Sequence, residues 1–317
     1  MLTANSNLSD RSRWAVLLLA HGAPERLGDI PQFLLNVRGG RGLPEKAVQE
    51  IIERYARIGG SSPLLRITIQ QANELQKALG LPVYVGMRNW KPTLEQAVRK
   101  LAGDGAGRMV AVCLAPQNSR ISIDLYRRHL TEAVEKVVPG FPVEFVESWH
   151  DHPGLIAAFR EKVSLALANA EAESGGPVPV VFTAHSVPVR TIAEGDPYES
   201  QAKETASLVA EALGLPDFLM AFQSQGMTSE PWVGPTVESL IDGFAGRGVR
   251  KVVLAPVGFV SDHVEVLYDI DIAFREYGER KGVTVMRPES LNASPLFIQC
   301  LASIVLNRIE VAASRAS

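Results

Sequence analysis

From residue 14 almost to the end of the chain, short apolar runs bounded by Gly or Pro alternate with longer amphipathic stretches. The short runs cover 14–20, 82–86, 108–115, 142–147, 178–184, 218–223, 250–256 and 283–287, and they read as strands. Helical patterns fill the gaps at 29–38, 44–58, 63–79, 92–103, 122–137, 153–171, 198–213, 233–246, 262–281 and 293–312. Strict alternation of this kind is the mark of βαβ units wound around a mostly parallel sheet. Half of the strands fall before residue 150 and half after it. The expected fold is therefore α/β, with two flavodoxin-like, doubly wound domains at 13–150 and 151–317 and a cleft between them. The last helix is expected to pack back on the first domain. Glu171–Pro179 (EAESGGPVP) is the best linker, and the polar residues 1–12 are expected to fray.

The halves also share phrases. Leu19-Ala20-His21-Gly22-Ala23-Pro24 returns as Thr183-Ala184-His185-Ser186-Val187-Pro188, and Val112-Cys113-Leu114-Ala115-Pro116 as Val253-Leu254-Ala255-Pro256. Each copy closes an apolar run, so the domains are related by an internal repeat. Ligands of open parallel sheets sit outside the carboxyl ends of the strands, and His21, Pro116, His185 and the 256–265 segment all fall there.

Only the second half adds Ser261-Asp262-His263-Val264-Glu265. Its plainer reading is a capping box, with Asp262 as N-cap and Glu265 three residues on, followed by the stripe Leu267, Ile270, Phe274 and Tyr277. That leaves His263, Asp269 and Asp271 without a role. On one continuous helix Glu265 and Asp269 share a face, and like charges at that spacing disfavour the helix unless a cation or a proton sits between them. Imidazole with carboxylate suits iron(II) or zinc. His185 taken alone has an equally good reading as a satisfied strand-end histidine.

Composition narrows the choices. The 317 residues are 46 % hydrophobic and 21 % charged with a net charge of −3, a globular composition without the basic face that nucleic acid requires. No stretch is expected to approach the length of a transmembrane helix. Arg11 and Arg13 precede the apolar run at 14–20, but that run is short for a signal sequence and lacks a small-x-small cleavage site. A cytoplasmic protein is expected. Cys113 and Cys300 read as buried small hydrophobes, too few for the four thiolates of an iron–sulfur cluster. No phosphate-binding fingerprint follows the first strand. His150-Asp151-His152 reads as a polar loop rather than a metal site, because no third ligand is close in sequence. The loop from Gln223 to Pro235 presents Trp232 between prolines and suits a flat apolar ligand. Gly195-Asp196-Pro197-Tyr198 reads as turn-and-cap chemistry with Pro197 in a first helical turn. Arg38, Arg41, Arg54, Arg57, Arg120 and Arg127 crowd the first half. Most suit solvated helix faces, and several suit bidentate pairing with ligand carboxylates.

Taken in order and spacing, these residues resemble the ferrochelatases, which insert ferrous iron into a porphyrin. The similarity runs from about Trp14 to Arg308. Its marks are Ile58-Gly59-Gly60-Ser61-Ser62-Pro63-Leu64, Ala184-His185-Ser186-Val187-Pro188, Gly195-Asp196-Pro197-Tyr198 with Gln201, and Gln223-Ser224 with Pro231-Trp232-Val233-Gly234-Pro235. The most specific is Pro256-Val257-Gly258-Phe259-Val260-Ser261-Asp262-His263-Val264-Glu265 with Leu267-Tyr268-Asp269.

The resemblance implies His185 and Glu265 as the iron-binding and catalytic pair, facing each other across the porphyrin, with Asp269 extending the metal route. It implies His21, Arg38, Ser62, Arg120, Tyr126 and Trp232 as porphyrin contacts, His21 from the opposite face. Porphyrin and Fe²⁺ are then substrates, with no permanently bound cofactor, and a monomer is expected. Metallation must remove two pyrrole protons, which a histidine near neutral pH can accept. Bending the ring exposes its nitrogen lone pairs, a strain supported by binding energy elsewhere. The chain departs from the family pattern at Ala273, where a further acid is common. It departs again at His21, where coproporphyrin-using members often carry Tyr and protoporphyrin-using members an apolar residue. The loop Ala115–Tyr126 resembles the coproporphyrin type, whose open polar cleft suits a ring with four carboxylates. Coproporphyrin III is therefore favoured over protoporphyrin IX. A sirohydrochlorin chelatase and a non-catalytic heme or porphyrin carrier are the alternatives. The marks at Gly195–Tyr198 and Pro231–Pro235 argue against the first, and a carrier would not need Glu265.

Overall fold

The computed structural model describes residues 13–226 and 229–316, so residues 1–12, expected to fray, and Met227 and Thr228 of the Trp232 loop lie outside the described residues. Among the described residues, eight strands form two four-stranded parallel sheets. The first contains β1 Trp14–Ala20, β2 Val83–Met87, β3 Arg108–Cys113 and β4 Val143–Val146, in the order β2-β1-β3-β4. The second contains β5 Val180–His185, β6 Leu219–Gln223, β7 Lys251–Ala255 and β8 Thr284–Met286, in the order β6-β5-β7-β8. The two orders are identical, as the repeated phrases require. In each sheet the winding order reverses between its first and third strands, the switch point at which such sheets open a ligand crevice.

Both faces of each sheet are apolar, and alternate residues serve different cores. Ala15, Leu17 and Leu19 of β1 pack outward with helices Leu94–Gly103 and Ile123–Val137. Val16 and Leu18 point inward, into the same cluster as Val180 and Phe182 of β5 and Val253 and Ala255 of β7. Val181 and Leu254 face a third cluster with helix Val237–Gly246. The central cluster thus belongs to both sheets. Helices Leu64–Leu79, Pro153–Ser174, Tyr198–Leu213 and Pro295–Ala316 fill it, and the last packs against Leu64–Leu79, Pro153–Ser174, β3 and β4. A shared core fixes the angle between the sheets, and with it the width of the cleft.

Polar contacts close the seam at the carboxyl ends of the strands. The buried Asp196 carboxylate accepts from Tyr198 N–H at 2.9 Å, from Ser119 Oγ–H at 3.1 Å and from Arg120 N–H at 2.7 Å. The cap expected at Gly195–Tyr198 is thus also a clasp between the halves. The buried amide of Gln117 donates to Thr205 Oγ1 and to the Val257 carbonyl. Gln201 Oε1 accepts from Asn118 N–H and Ser148 Oγ–H.

Several elements differ from expectation. The helix expected at 262–281 is broken into Val264–Leu267, a π-helical turn at Asp269–Phe274, and Arg275–Lys281. The expected helix at 233–246 begins only at Val237, because residues 232–236 run extended alongside Pro188 and Phe222. Helix Pro153–Ser174 consumes the first half of the expected linker and ends at left-handed Gly175. A short helix, Val189–Ala193, has no counterpart among the predicted elements. Contrary to the expectation that no stretch approaches membrane-spanning length, Pro295–Arg315 has it, with mean hydropathy 1.6. Its apolar residues Phe297, Leu301 and Val305 are wholly buried in the central core, which explains the composition.

Phe297→Ala empties space that both sheets share. We expect it to lower unfolding free energy by about 3–5 kcal/mol in a single cooperative urea transition. Two separate transitions would show that the halves do not depend on a common core.

Candidate active site

His185 is the last residue of β5, and its position is set from below. A Cβ placed on Gly258 would lie 2.8 Å from Ala184 Cα, so only glycine lets the loop after β7 pass beneath the end of β5. The next residue, Ser186, is buried and donates from Oγ to the Val233 carbonyl at 2.7 Å. In the first half the equivalent residue is Gly22 at φ +85°, where a Cβ would stand 2.9 Å from Trp90 N. The two copies of the repeat therefore place their histidines at the same strand-end position but fix the following turn by different means.

Around the cleft, three imidazoles share one arrangement. His21 Nδ1 lies 3.1 Å from the Gly22 carbonyl, His185 Nδ1 hydrogen bonds the Ser186 carbonyl, and His263 Nδ1 lies 2.9 Å from the Ser261 carbonyl. A carbonyl only accepts, so Nδ1 carries the proton in each ring, and Nε2 is left as the reactive atom.

His185 Nε2 stands 3.6 Å from Glu265 Oε1, and His263 Nε2 stands 3.5 Å from Glu265 Oε2. One carboxylate is flanked by two imidazole edges. Burial alone lowers His185, but the neighbouring Glu265 carboxylate outweighs it and raises the imidazole to about 9. Burial alone raises Glu265, yet the two imidazoles hold it well below the usual carboxylate range. The resting pair is an imidazolium–carboxylate pair, and each side chain keeps about one third of its surface exposed. Among the described residues no group of three His, Cys, Asp or Glu is arranged to hold a metal ion.

The capping box is absent. His263 is the residue at the N-cap of Val264–Leu267, with no side-chain cap bond. Asp262 is turned away to Ser290 Oγ at 2.7 Å and Asn292 Nδ2 at 2.8 Å. Glu265 is thereby released from structural duty, and Gln223 Nε2 secures its main chain by donating to its carbonyl at 2.9 Å. Asp269 follows on the π-helical turn, a geometry frequent at functional sites. Its carboxylate accepts from Ser224 Oγ–H and lies 3.9 Å from Arg54 Nη1. Burial raises it to about 6, with the Glu265 charge adding to the effect and Ser224 and Arg54 opposing it.

His21 projects from the other half. Desolvation by the surrounding residues, reinforced by the Arg88 charge, lowers its pKa to about 4, so it is neutral at pH 7, although part of its side chain remains exposed. The charges of Glu265, which raises it, and of His263, which lowers it, also act on it. Its ring meets Phe33 edge-on at 5.8 Å.

The remaining candidates are scattered. Arg38 is exposed, its Nε donating to the Arg41 carbonyl. Ser62 is half-buried, and its Oγ accepts from Leu64 N–H at 3.3 Å. Arg120 is exposed beside Gly195. Tyr126 is buried in the outer core of the first half, with the Arg88 guanidinium 4.8 Å above its ring. Trp232 lies over Gly226, where a Cβ would be 2.5 Å from the indole. The His-rich loop is structural. His150 is engaged at both nitrogens by Ser148 and Glu204, and His152 Nδ1 accepts from Gly154 N–H to cap the long helix.

His263 and Arg88 were not among the predicted site residues. The sequence signal for His263 was its lack of any place in the capping box. Arg88 gave none, because only the fold of β2 beside β1 brings it to His21.

The ferrochelatase family model matches residues 13–309. The chain belongs to the ferrochelatase family. It is 47 % identical to a ferrochelatase of Acidobacterium capsulatum, over 94 % of this chain and 95 % of the relative. It is 38 % identical to a coproporphyrin III ferrochelatase of Geobacillus sp. (strain WCH70), over 95 % and 99 %, and 36 % identical to that of Bacillus subtilis, over 94 % and 99 %. The sirohydrochlorin chelatase SirB from Bacillus subtilis subspecies spizizenii superposes with TM-score 0.58 at 11 % identity, covering 94 % of this chain and 96 % of SirB, which shows a common fold. As a ferrochelatase the chain is a metal chelatase of heme biosynthesis that inserts iron into a porphyrin.

A metal ion bound at His185 Nε2 would have to displace its proton, so, if this residue is a ligand, affinity for Fe²⁺ in the porphyrin-free protein should rise with pH up to about 9. Glu265→Gln removes the charge that raises His185 and leaves burial in control. An NMR titration should then find His185 moved from about 9 in the wild type to the ordinary 6.5 or lower in the variant. An unmoved titration would mean that the two groups are not paired in solution.

Proposed function

We propose that this ferrochelatase uses coproporphyrin III, that His185 and Glu265 metallate it, and that it works in the cytoplasm as a monomer without a resident cofactor. The observation that carries the catalytic reading is the single carboxylate flanked by two imidazole Nε2 atoms at the carboxyl ends of β5 and β7. Asp269 passes the metal towards Glu265. The arriving dication drives the imidazolium proton out to solvent, and once the iron has moved on into the ring, His185 Nε2 is neutral and free to take a pyrrole proton. The two protons released per ring leave through the same polar cluster, with His263 as relay. His21, neutral and with Nε2 unprotonated, suits a contact with iron from the opposite face.

The choice of coproporphyrin III rests on charge. The guanidinium groups of Arg38, Arg41 and Arg120 are exposed and, among the described residues, have no carboxylate partner, so they are available to a polycarboxylate ring. The relatives named coproporphyrin III ferrochelatases support the same choice. The apolar helix at the carboxyl end supports a soluble protein, since its apolar face is spent on the central core. Cys113 and Cys300 argue against a cluster. They lie in different cores, and burial raises both thiols, Cys300 to about 12.

Anaerobic Fe²⁺ insertion followed by absorbance, with coproporphyrin III and protoporphyrin IX side by side, tests the proposal. We expect kcat/KM to be at least about tenfold higher for coproporphyrin III, the worth of one good charged contact. A preference for protoporphyrin IX would overturn the subclass. Glu265→Ala should bind porphyrin normally and lose about 10²–10⁴-fold in turnover. Full turnover in that variant would remove Glu265 from the mechanism.

A further inference from the structure

Glu265 and Asp269 lie on a segment with little helical support of its own, four residues of α-helix followed by a π turn. A π turn is a rare, single-turn departure from the α-helix, and a one-residue change of register rotates a side chain by about 100° around the axis. Something outside the segment must hold it. Arg287, directly after β8, is 10 % exposed and reaches both of its ends. Its Nε and Nη2 donate to Asp271 Oδ1 and Oδ2 at 2.9 and 2.8 Å, a two-pronged contact inside the π turn. Its Nη1 donates to Ser290 Oγ at 3.1 Å and lies 3.4 Å from Asp262 Oδ1, three residues before Glu265.

We propose that Arg287 is a positioning residue for metal delivery, a strut that fixes the spacing and orientation of Glu265 relative to Asp269 by tying Asp262 and Asp271 to one guanidinium. The inference rests on the reading of these two acids as the metal route. The planar fork is essential, because two parallel bonds to Asp271 fix an orientation that a single ammonium contact leaves free to rotate. Arg275 also reaches Asp271 Oδ1, at 3.3 Å, but it is on the same helical run and half exposed, so it cannot anchor the turn to the sheet.

Arg287→Lys keeps the charge and removes the fork. In this variant kcat/KM for Fe²⁺ should fall about 10–100-fold, the scale of an ångström-sized misplacement. Porphyrin Kd, measured by fluorescence quenching, should stay within about twofold. A role confined to stability predicts the reverse, a lower melting temperature with unchanged Fe²⁺ kinetics, and that result overturns the proposal. Equal losses in porphyrin binding and metal kinetics also overturn it. If Arg287→Lys does not fold, the charge-neutral pair Arg287→Gln with Asp271→Asn takes its place under the same criteria, and failure of both to fold assigns Arg287 to the fold alone. Glu265→Ala run in parallel separates the two claims. If that variant stays active, the metal-route reading fails, whereas an inactive Glu265→Ala beside a normal Arg287→Lys rejects only the strut.

Discussion

The contact between His185 and Glu265 is the constraint on which the site depends. Neither group tolerates its surroundings alone. Burial pushes the imidazole towards the neutral form and the carboxyl towards the protonated one, and only their mutual approach reverses both tendencies. The pair therefore stores a proton next to a negative charge at the mouth of a cleft. In the proposed mechanism an incoming dication upsets that balance by its charge. The nearby structure serves this contact. Gly258 lets one strand end pass under another, Gln223 pins the Glu265 main chain, and carbonyls fix the tautomer of both neighbouring imidazoles.

The internal repeat supplies the frame, and the departures from it supply the chemistry. Equivalent strand ends bring His21 and His185 to one cleft, but their electrostatics are opposite. His185 is raised by an acid, whereas His21 is lowered by desolvation and by Arg88. One histidine is thus suited to exchange protons and the other to remain a neutral ligand. The shared central core keeps the two walls in register, and the Asp196 clasp joins them close to the site, since Tyr198 also meets the His185 main chain.

Much of this was readable from the chain. Fully apolar strands between Gly and Pro announce a parallel sheet. The repeated His phrases then place both histidines, because a strand end is fixed by local pattern. What was not readable depends on distant partners. The 262–281 pattern fits a regular helix, and nothing local signals that Arg287 and Asn292 draw Asp262 away and hold a π turn in place. The same competition undid the capping box. Tyr126, which the resemblance gives as a porphyrin contact, is buried in the outer core, a placement set by partners distant in the chain. The apolar carboxyl-terminal helix needs a core shared by two sheets, and no single half predicts one.

The central claim is that iron meets the protein at His185 and Glu265. X-ray absorption of the porphyrin-free protein loaded anaerobically with Co²⁺ as an oxygen-stable stand-in, compared between wild type and His185→Ala, tests it directly. The account predicts nitrogen and oxygen ligands with an imidazole signature in the wild type and one imidazole fewer in the variant. An identical imidazole count in both proteins would contradict it.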